Sequence, residues 1–280
     1  NENQTNDKHI IAANEGNAIA IAAGYHMGTG NVPLVYMQNS GLGNAVNPLL
    51  SLCDSDVYSI PMLMIIGWRG APDIKDEPQH VKQGKIQLSL LECMDIDYEI
   101  IDKNTNNIRE IISNSIKKTK SAKQPFALII KKNTFSKYEK DKSEDKEKTQ
   151  LMQREETLKI LIDKIPADSI VISTTGKTSR EIFEIRDEID GDHSKDFLTV
   201  GSMGHCSSIA LGIAISNPDK KIICIDGDGA LLMHLGSLST IAKIGPHNFY
   251  HILINNEVHE SVGGQETSIK YLDVNNLIKS

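Results

Sequence analysis

Short, nearly continuous apolar runs alternate with amphipathic stretches along both halves of the chain. In the first half the pattern predicts strands over 9–13 (HIIAA), 33–38 (PLVYMQ), 61–67 (PMLMIIG), 97–102 (DYEIID) and 126–132 (FALIIKK). Helices are predicted between them, over 15–27, 43–53, 82–93 and 105–122. In the second half the pattern predicts helices over 151–164, 177–186, 204–215 and 231–244, the last with Leu238 and Ile241 facing inward. The strands there fall at 169–174, 221–227 and 250–256. Strand-length apolar runs set between helices mean parallel strands covered on both faces. The expected fold class is therefore α/β: two parallel-sheet α/β sandwich domains, with sites at the carboxyl ends of the strands.

One segment breaks the pattern. Residues 137–148, KYEKDKSEDKEK, mix Lys with acidic residues and carry no large aliphatic side chain, so the run stays solvated. A tether is favoured over an exposed helix. It separates a domain at 1–136 from one at 149–280, in keeping with about 150 residues per domain for a 280-residue chain. Only 14 residues precede the first strong motif, and the run 271–280 lies inside a helical pattern. The sequence thus reads as a fragment, its two domains incomplete at their outer ends.

Composition narrows the function classes. Lys plus Arg total 30 against 37 Asp plus Glu, a net charge of −7, which disfavours nucleic-acid binding by bulk charge. The longest apolar runs, such as 60–68, fall well short of the roughly 20 residues that span a bilayer. The polar start, NENQTNDKH, is not a signal peptide. Cys53, Cys93, Cys206 and Cys224 are widely spaced and form no CxxC, which favours a reducing compartment over a disulfide scaffold or a structural zinc site. A cytoplasmic location is expected.

The richest chemistry lies at 221–264. A buried strand leads into Gly227, Asp228, Gly229 and Ala230, and the next strand ends at Asn255-Asn256. Asp228 and Asn256 then stand at neighbouring carboxyl ends, 28 residues apart. A carboxylate and a carboxamide oxygen suit a hard cation such as Mg²⁺ that keeps open positions for phosphate oxygens. The flanking glycines admit a diphosphate close to the backbone. Taken separately, GDG is equally well a tight turn with a capping Asp. Thr175 and Gly176 lie in another strand-to-helix turn, TTGKTSRE at 174–181, which could hold phosphate or simply cap a helix.

GDG followed about 26 residues later by Asn-Asn resembles the thiamine diphosphate binding motif. NEGNAIAIAAGY at 14–25 is similar to the NExxAAxxAxGY surroundings of the glutamate in that family's pyrimidine-binding domain. QNSGLGNAVNPL at 38–49 looks like the glycine-rich turn that follows. By that resemblance Glu15 would hydrogen-bond the aminopyrimidine and promote the imino tautomer that generates the reactive ylid. GSMGHCSSIALGIA at 201–214 resembles a third family segment. It implies that the Gly201 carbonyl accepts from the 4′-amino group and that Met203 wedges the cofactor into its bent shape. The resemblance also makes the backbone carbonyl of Val258 the third protein ligand to Mg²⁺. The order becomes pyrimidine domain, linker, diphosphate domain. A homo-oligomer with active sites between subunits is implied.

Two further stretches, WRGAPDIKDEPQHVKQG at 68–84 and NNEVHESVGGQET at 255–267, look like those of phosphonopyruvate decarboxylases, with sulfopyruvate decarboxylases as close cousins. The implied substrate is a small anionic 2-oxo acid, phosphonopyruvate. It would be decarboxylated without oxidation to phosphonoacetaldehyde and carbon dioxide through the ylid, in phosphonate (2-aminoethylphosphonate) biosynthesis. Arg69, Lys75, His80 and Lys82 share one loop and could hold the phosphonate, although Asp73, Asp76 and Glu77 lie among them. His259 and Glu260 follow the metal turn and could reach the reacting carbon or relay a proton. His80, His259 and water stay open as proton donors.

Rival classes fit less well. A nicotinamide-binding dehydrogenase needs GxGxxG, and both GTGNVP at 28–33 and GLGNAV at 41–46 lack the third glycine. A carboligase would carry a central third domain. A non-catalytic cofactor-binding subunit sits poorly with the presence of Glu15, Asp228 and Asn256 together.

Overall fold

The computed structural model describes residues 9–136, 152–260 and 263–279. The chain divides into two compact units, with the division falling between Asp141 and Lys142. The expected tether at 137–148 lies outside the described residues.

The first unit runs α1 (Glu15–Thr29), β1 (Leu34–Gln38), α2 (Leu42–Pro48), β2 (Met62–Gly67), α3 (Pro78–Cys93), β3 (Asp97–Ile101), α4 (Ile108–Ala122) and β4 (Pro125–Ile130). Its four strands are all parallel, in the order β1-β2-β4-β3. Leu34 pairs with Leu63, Met62 with Pro125 and Asp97 with Phe126. Strand alternation sends Met62, Met64 and Ile66 to one face, where they meet Ile19, Leu42 and Leu91 from α1, α2 and α3. Leu63 and Ile65 go to the other face with Phe126 and Leu128, against Ile111 and Ile116 of α4. The central strand β4 is buried throughout, whereas the edge strand β1 leaves Leu34 and Tyr36 exposed.

The second unit runs α5 (Arg154–Lys164), β5 (Ile170–Ser173), α6 (Lys177–Ile189), β6 (Asp196–Leu198), α7 (Cys206–Ser216), β7 (Ile222–Gly227), α8 (Asp228–Met233), α9 (Ser237–Ile244) and β8 (Phe249–Ile254). A hairpin of β9 (Val258–His259) and β10 (Gln265–Glu266) and a last helix, α10 (Val274–Lys279), follow. Its main sheet is parallel, in the order β6-β5-β7-β8. Helices α5 and α6 cover one face through Leu158, Ile162, Ile182 and Ile185. The small residues Ala210 and Ala214 let α7 lie close on the other.

Both sheets agree with the α/β expectation, and three local readings need correction. Residues 9–13 form no strand: no described strand pairs with them, and Ile10 and Ile11 are exposed. The predicted helix at 231–244 is two helices, α8 and α9, broken at His234–Gly236. It also starts earlier, with Asp228 inside its first turn. Strand β6 and the β9–β10 hairpin follow no apolar run. β6 is a three-residue edge strand, and the hairpin is held by two residue pairs.

Candidate functional site

In the first unit, Asn14 caps α1, its side chain accepting from the Asn17 amide at 2.9 Å. This fixes Glu15 in the first helical turn, where a carboxylate also complements the helix dipole. Glu15 is half-buried, and its Oε2 accepts from Asn44 Nδ2 at 2.8 Å. Gly41 lies directly beneath the carboxylate. A Cβ on it would stand 2.1 Å from Glu15 Oε1, so only glycine leaves the side chain room there. Neither Asn44 nor Gly41 is distinguishable by sequence reasoning within the 38–49 run. Their role depends on α2 packing against α1.

In the second unit, all the sequence-predicted cofactor loops emerge from one end of the sheet. Thr175 and Gly176 follow β5, Gly201 and Met203 follow β6, Gly227 ends β7, and Asn256 follows β8. Asp228, Gly229 and Ala230 open α8 and are buried. Asp228 is 3% exposed, and its Oδ2 accepts from the Thr267 hydroxyl at 2.5 Å. Thr267 is itself buried, with its amide donating to the Glu257 carbonyl at 2.8 Å. That bond draws the end of the β9–β10 hairpin back to the Asn256 turn. The turn is tightened by Asn255 Oδ1 accepting from the Glu257 amide and Asn256 Oδ1 from the Val258 amide, each at 3.2 Å. Gly229 faces His259 closely: a Cβ there would lie 2.7 Å from His259 Nδ1 and 3.5 Å from Met203 Cε. Met203, Gly229 and His259 therefore converge. Burial lowers the His259 pKa, opposed by the Asp228 carboxylate.

Glu260 lies in an ion-pair network. Its carboxylate is held between Arg154 and Lys177, and Arg154 also makes a bidentate pair with Glu181 at 2.6 and 2.7 Å. Hydrogen bonds from Lys177 and Arg154 lower its pKa. These contacts anchor the hairpin to α5 and α6. Sequence reasoning missed Arg154, Lys177 and Thr267 as partners because each bond spans tens of residues.

The 68–77 loop of the first unit is built around Arg69, and the expectation of one loop shared by Arg69, Lys75, His80 and Lys82 needs correction: α3 begins at Pro78, so His80 and Lys82 stand in its first two turns. Asn39 clamps its backbone, donating to the carbonyl at 2.8 Å and accepting from the amide at 3.0 Å. The guanidinium forks onto Asp76, Nε to Oδ2 at 2.8 Å and Nη2 to Oδ1 at 2.5 Å. Its charge is thus matched within the loop. Lys75 and Lys82 are exposed and pair with no carboxylate among the described residues. His80 packs inward with Nδ1 unpartnered, and burial lowers its pKa.

The Arg69–Asp76 pair has a pH signature. The Arg69 hydrogen bond holds the Asp76 carboxyl well below the usual carboxylate range. A depressed carboxyl stabilises the fold above its unfolded pKa of about 3.9 and loses that contribution as pH falls through the folded value. Asp76→Asn is expected to cost about 1–2 kcal/mol at pH 7, since Arg69 is partly solvated, with the deficit shrinking below about pH 4. Urea midpoints measured between pH 7 and pH 3 check this. A deficit independent of pH would reject the pair as its source.

Comparison with known proteins places these two sites in context. Residues 2–91 match the family described as thiamine pyrophosphate enzyme, N-terminal TPP binding domain, and residues 185–276 match its C-terminal TPP binding domain. A phosphonopyruvate decarboxylase of Streptomyces viridochromogenes is 32% identical over 280 residues, covering 95% of this chain and 68% of that one. A sulfopyruvate decarboxylase of Methanosarcina acetivorans is 29% identical, covering 96% of this chain and 72% of its own. A sulfopyruvate decarboxylase subunit beta of Methanocaldococcus jannaschii is 39% identical over 114 residues, 41% of this chain and 57% of that one.

Proposed function

This chain belongs to the phosphonopyruvate decarboxylase family of thiamine pyrophosphate enzymes, and from that premise we propose that it converts phosphonopyruvate to phosphonoacetaldehyde and carbon dioxide. The observation that carries this reading is similarity sustained through nearly the whole chain, both family domains included. Glu15 lies in one matched domain and Asp228 in the other.

The residues suit the cofactor. The Asp228 carboxylate, the Asn256 carboxamide oxygen and the Val258 carbonyl are all hard oxygen donors, the set Mg²⁺ prefers. Among the described residues no group of three or more His, Cys, Asp and Glu side chains could hold a metal. A cation held by these three donors would therefore complete its shell with diphosphate oxygens and water. Thiamine diphosphate, when bound, supplies the electron sink that decarboxylation of a 2-oxo acid requires.

Each protein group then has a limited task. Glu15 holds a proton at Oε1 or Oε2 against the aminopyrimidine, its orientation set by Asn44 and the bare backbone of Gly41. Thr175 and Gly176 offer donors to phosphate oxygens, with Gly227, Gly229 and Ala230 leaving room beside them. Gly201 accepts at its carbonyl, and Met203 excludes water with its thioether. His259, beside Gly229, exchanges a proton near the reacting carbon, and His80 is retained as the other candidate. Lys75 and Lys82 attract the phosphonate, and Arg69 contributes through the guanidinium edge not occupied by Asp76. We further propose that the protein acts as a homo-oligomer with active sites between subunits, in the cytoplasm and in phosphonate biosynthesis. In support, no helix among the described residues is long and apolar enough to cross a membrane, and the cysteines are free thiols.

The similarity to the Methanosarcina protein supports sulfopyruvate as a second reading, since a sulfonate would meet the same cations. Carbon dioxide release from phosphonopyruvate, sulfopyruvate and pyruvate, offered in parallel with thiamine diphosphate and magnesium, separates the two. The expected result is preference for phosphonopyruvate. Release from sulfopyruvate instead would overturn only the head-group assignment. Release from none, with the cofactor bound, would reject the activity.

A further inference from the structure

A cluster of two sulfurs, an imidazole and a carboxylate lies in the second unit's sheet and takes no part in the chemistry above. Cys224, on the central strand β7, is wholly buried, and Cys206, the first residue of α7, is 2% exposed. Their sulfurs lie 3.9 Å apart. His251 on β8 is the register partner of Cys224, and its Nε2 stands 3.3 Å from Asp226 Oδ2. Asp226 is fully buried.

The pairing tunes the thiols apart. Burial works against charge on His251, but hydrogen bonds to Asp226 and Cys224 outweigh it and hold the imidazolium pKa up at about 10. The Cys206 hydrogen bond, aided by His251 and opposed by burial, brings the Cys224 thiol below the usual thiol range. Cys206 is pushed up by its hydrogen bond to Cys224 and by burial. Cys53 is the contrast within the same chain: equally buried, it is simply pushed up to about 11. A nucleophilic thiolate beside a protonated second thiol is the arrangement of an attacking and a resolving cysteine.

We propose that Cys206 and Cys224 are a site of reversible oxidation, closed by hydrogen peroxide into a disulfide that fastens α7 to β7. The Cys224 thiolate attacks one peroxide oxygen, so an S–O bond forms, the O–O bond breaks, and hydroxide leaves as water with the proton that Cys224 gave up to its imidazolium-bearing surroundings. Cys206 sulfur then attacks Cys224 sulfur. The S–S bond forms, the S–O bond breaks, and the departing hydroxide takes the Cys206 proton as a second water. Two thiols lose two electrons, and peroxide gains them. Peroxide is small and uncharged, and it enters through local opening at the α7 amino end.

Bridging must shorten the sulfur separation from 3.9 Å to about 2.05 Å. Strand β7 is fixed between β5 and β8, so the movement falls on the first turn of α7 and the loop before it. That loop carries Gly201 and Met203. Oxidation is therefore expected to weaken cofactor binding by roughly tenfold, a consequence that rests on the cofactor reading above.

The test treats the full chain with limiting peroxide, alkylates the remaining thiols in denaturant and maps the peptides. Before alkylation the expected product is about 2 Da lighter than the reduced protein; after it, the product carries a Cys206–Cys224 linked peptide, and the link reverts with dithiothreitol. Cys206→Ser and Cys224→Ser should each prevent the link. Oxidation of the exposed Cys93 with both buried thiols still alkylated would overturn the proposal, as would sulfinic acid at Cys224 with Cys206 still free. The mass readout does not depend on what the enzyme decarboxylates. A bridge formed with cofactor affinity unchanged would reject the link to the Met203 loop.

Discussion

Asp228→Ala is expected to weaken cofactor retention at least about 100-fold, even in excess magnesium. The side chain is 3% exposed and fixed by the Thr267 hydroxyl, so it meets its ligand already oriented. No other carboxylate has been assigned to this loop, and the Asn256 oxygen is neutral. Removing Asp228 therefore removes the only formal charge among the proposed protein ligands. The variant without cofactor should unfold no more readily than the parent, because a buried carboxylate held by one hydroxyl is costly to desolvate. Calorimetric titration with thiamine diphosphate at fixed magnesium, beside a urea curve, separates loss of binding from loss of fold. Unchanged affinity in a folded variant would refute the ligand assignment.

Glu15→Gln should do the opposite: leave cofactor binding largely intact and lower turnover by roughly 10²–10⁴-fold. The carboxamide matches the carboxylate in shape, and its oxygen can still accept from Asn44. What it lacks is a titratable proton. Gly41→Ala gives an independent approach to the same group, since its Cβ would press on Oε1 and turn the carboxylate aside. It should reduce turnover without changing the chemistry of residue 15. Full activity in Glu15→Gln would eliminate the proton role.

These expectations show how unevenly the sequence is legible. The alternation of apolar runs carries both sheets because central strands such as β4 are buried along their whole length. It misleads at 9–13, where an apolar run has no described strand to join. It is silent at β6, whose three residues are an edge with only partial burial. The site shows the same division. Motif residues lie at strand ends, where chain order sets their place, so Thr175, Gly201, Asp228 and Asn256 could be read in advance. Thr267, Asn44 and Arg154 could not. Each meets its partners across 27 residues or more, and nothing local marks a Thr, an Asn or an Arg for that duty. The ion pairs of Glu260 were equally hidden, its two cationic partners lying 83 and 106 residues upstream.

The two hydrogen bonds between the Asn39 side chain and the backbone of Arg69 have a kinetic consequence. They join the turn after β1 to the start of the loop after β2, so neither can fray without breaking both. In amide hydrogen exchange Arg69 should then behave as part of the sheet, opening with β1 and β2 as one cooperative unit, while Lys75 further along the same loop exchanges freely.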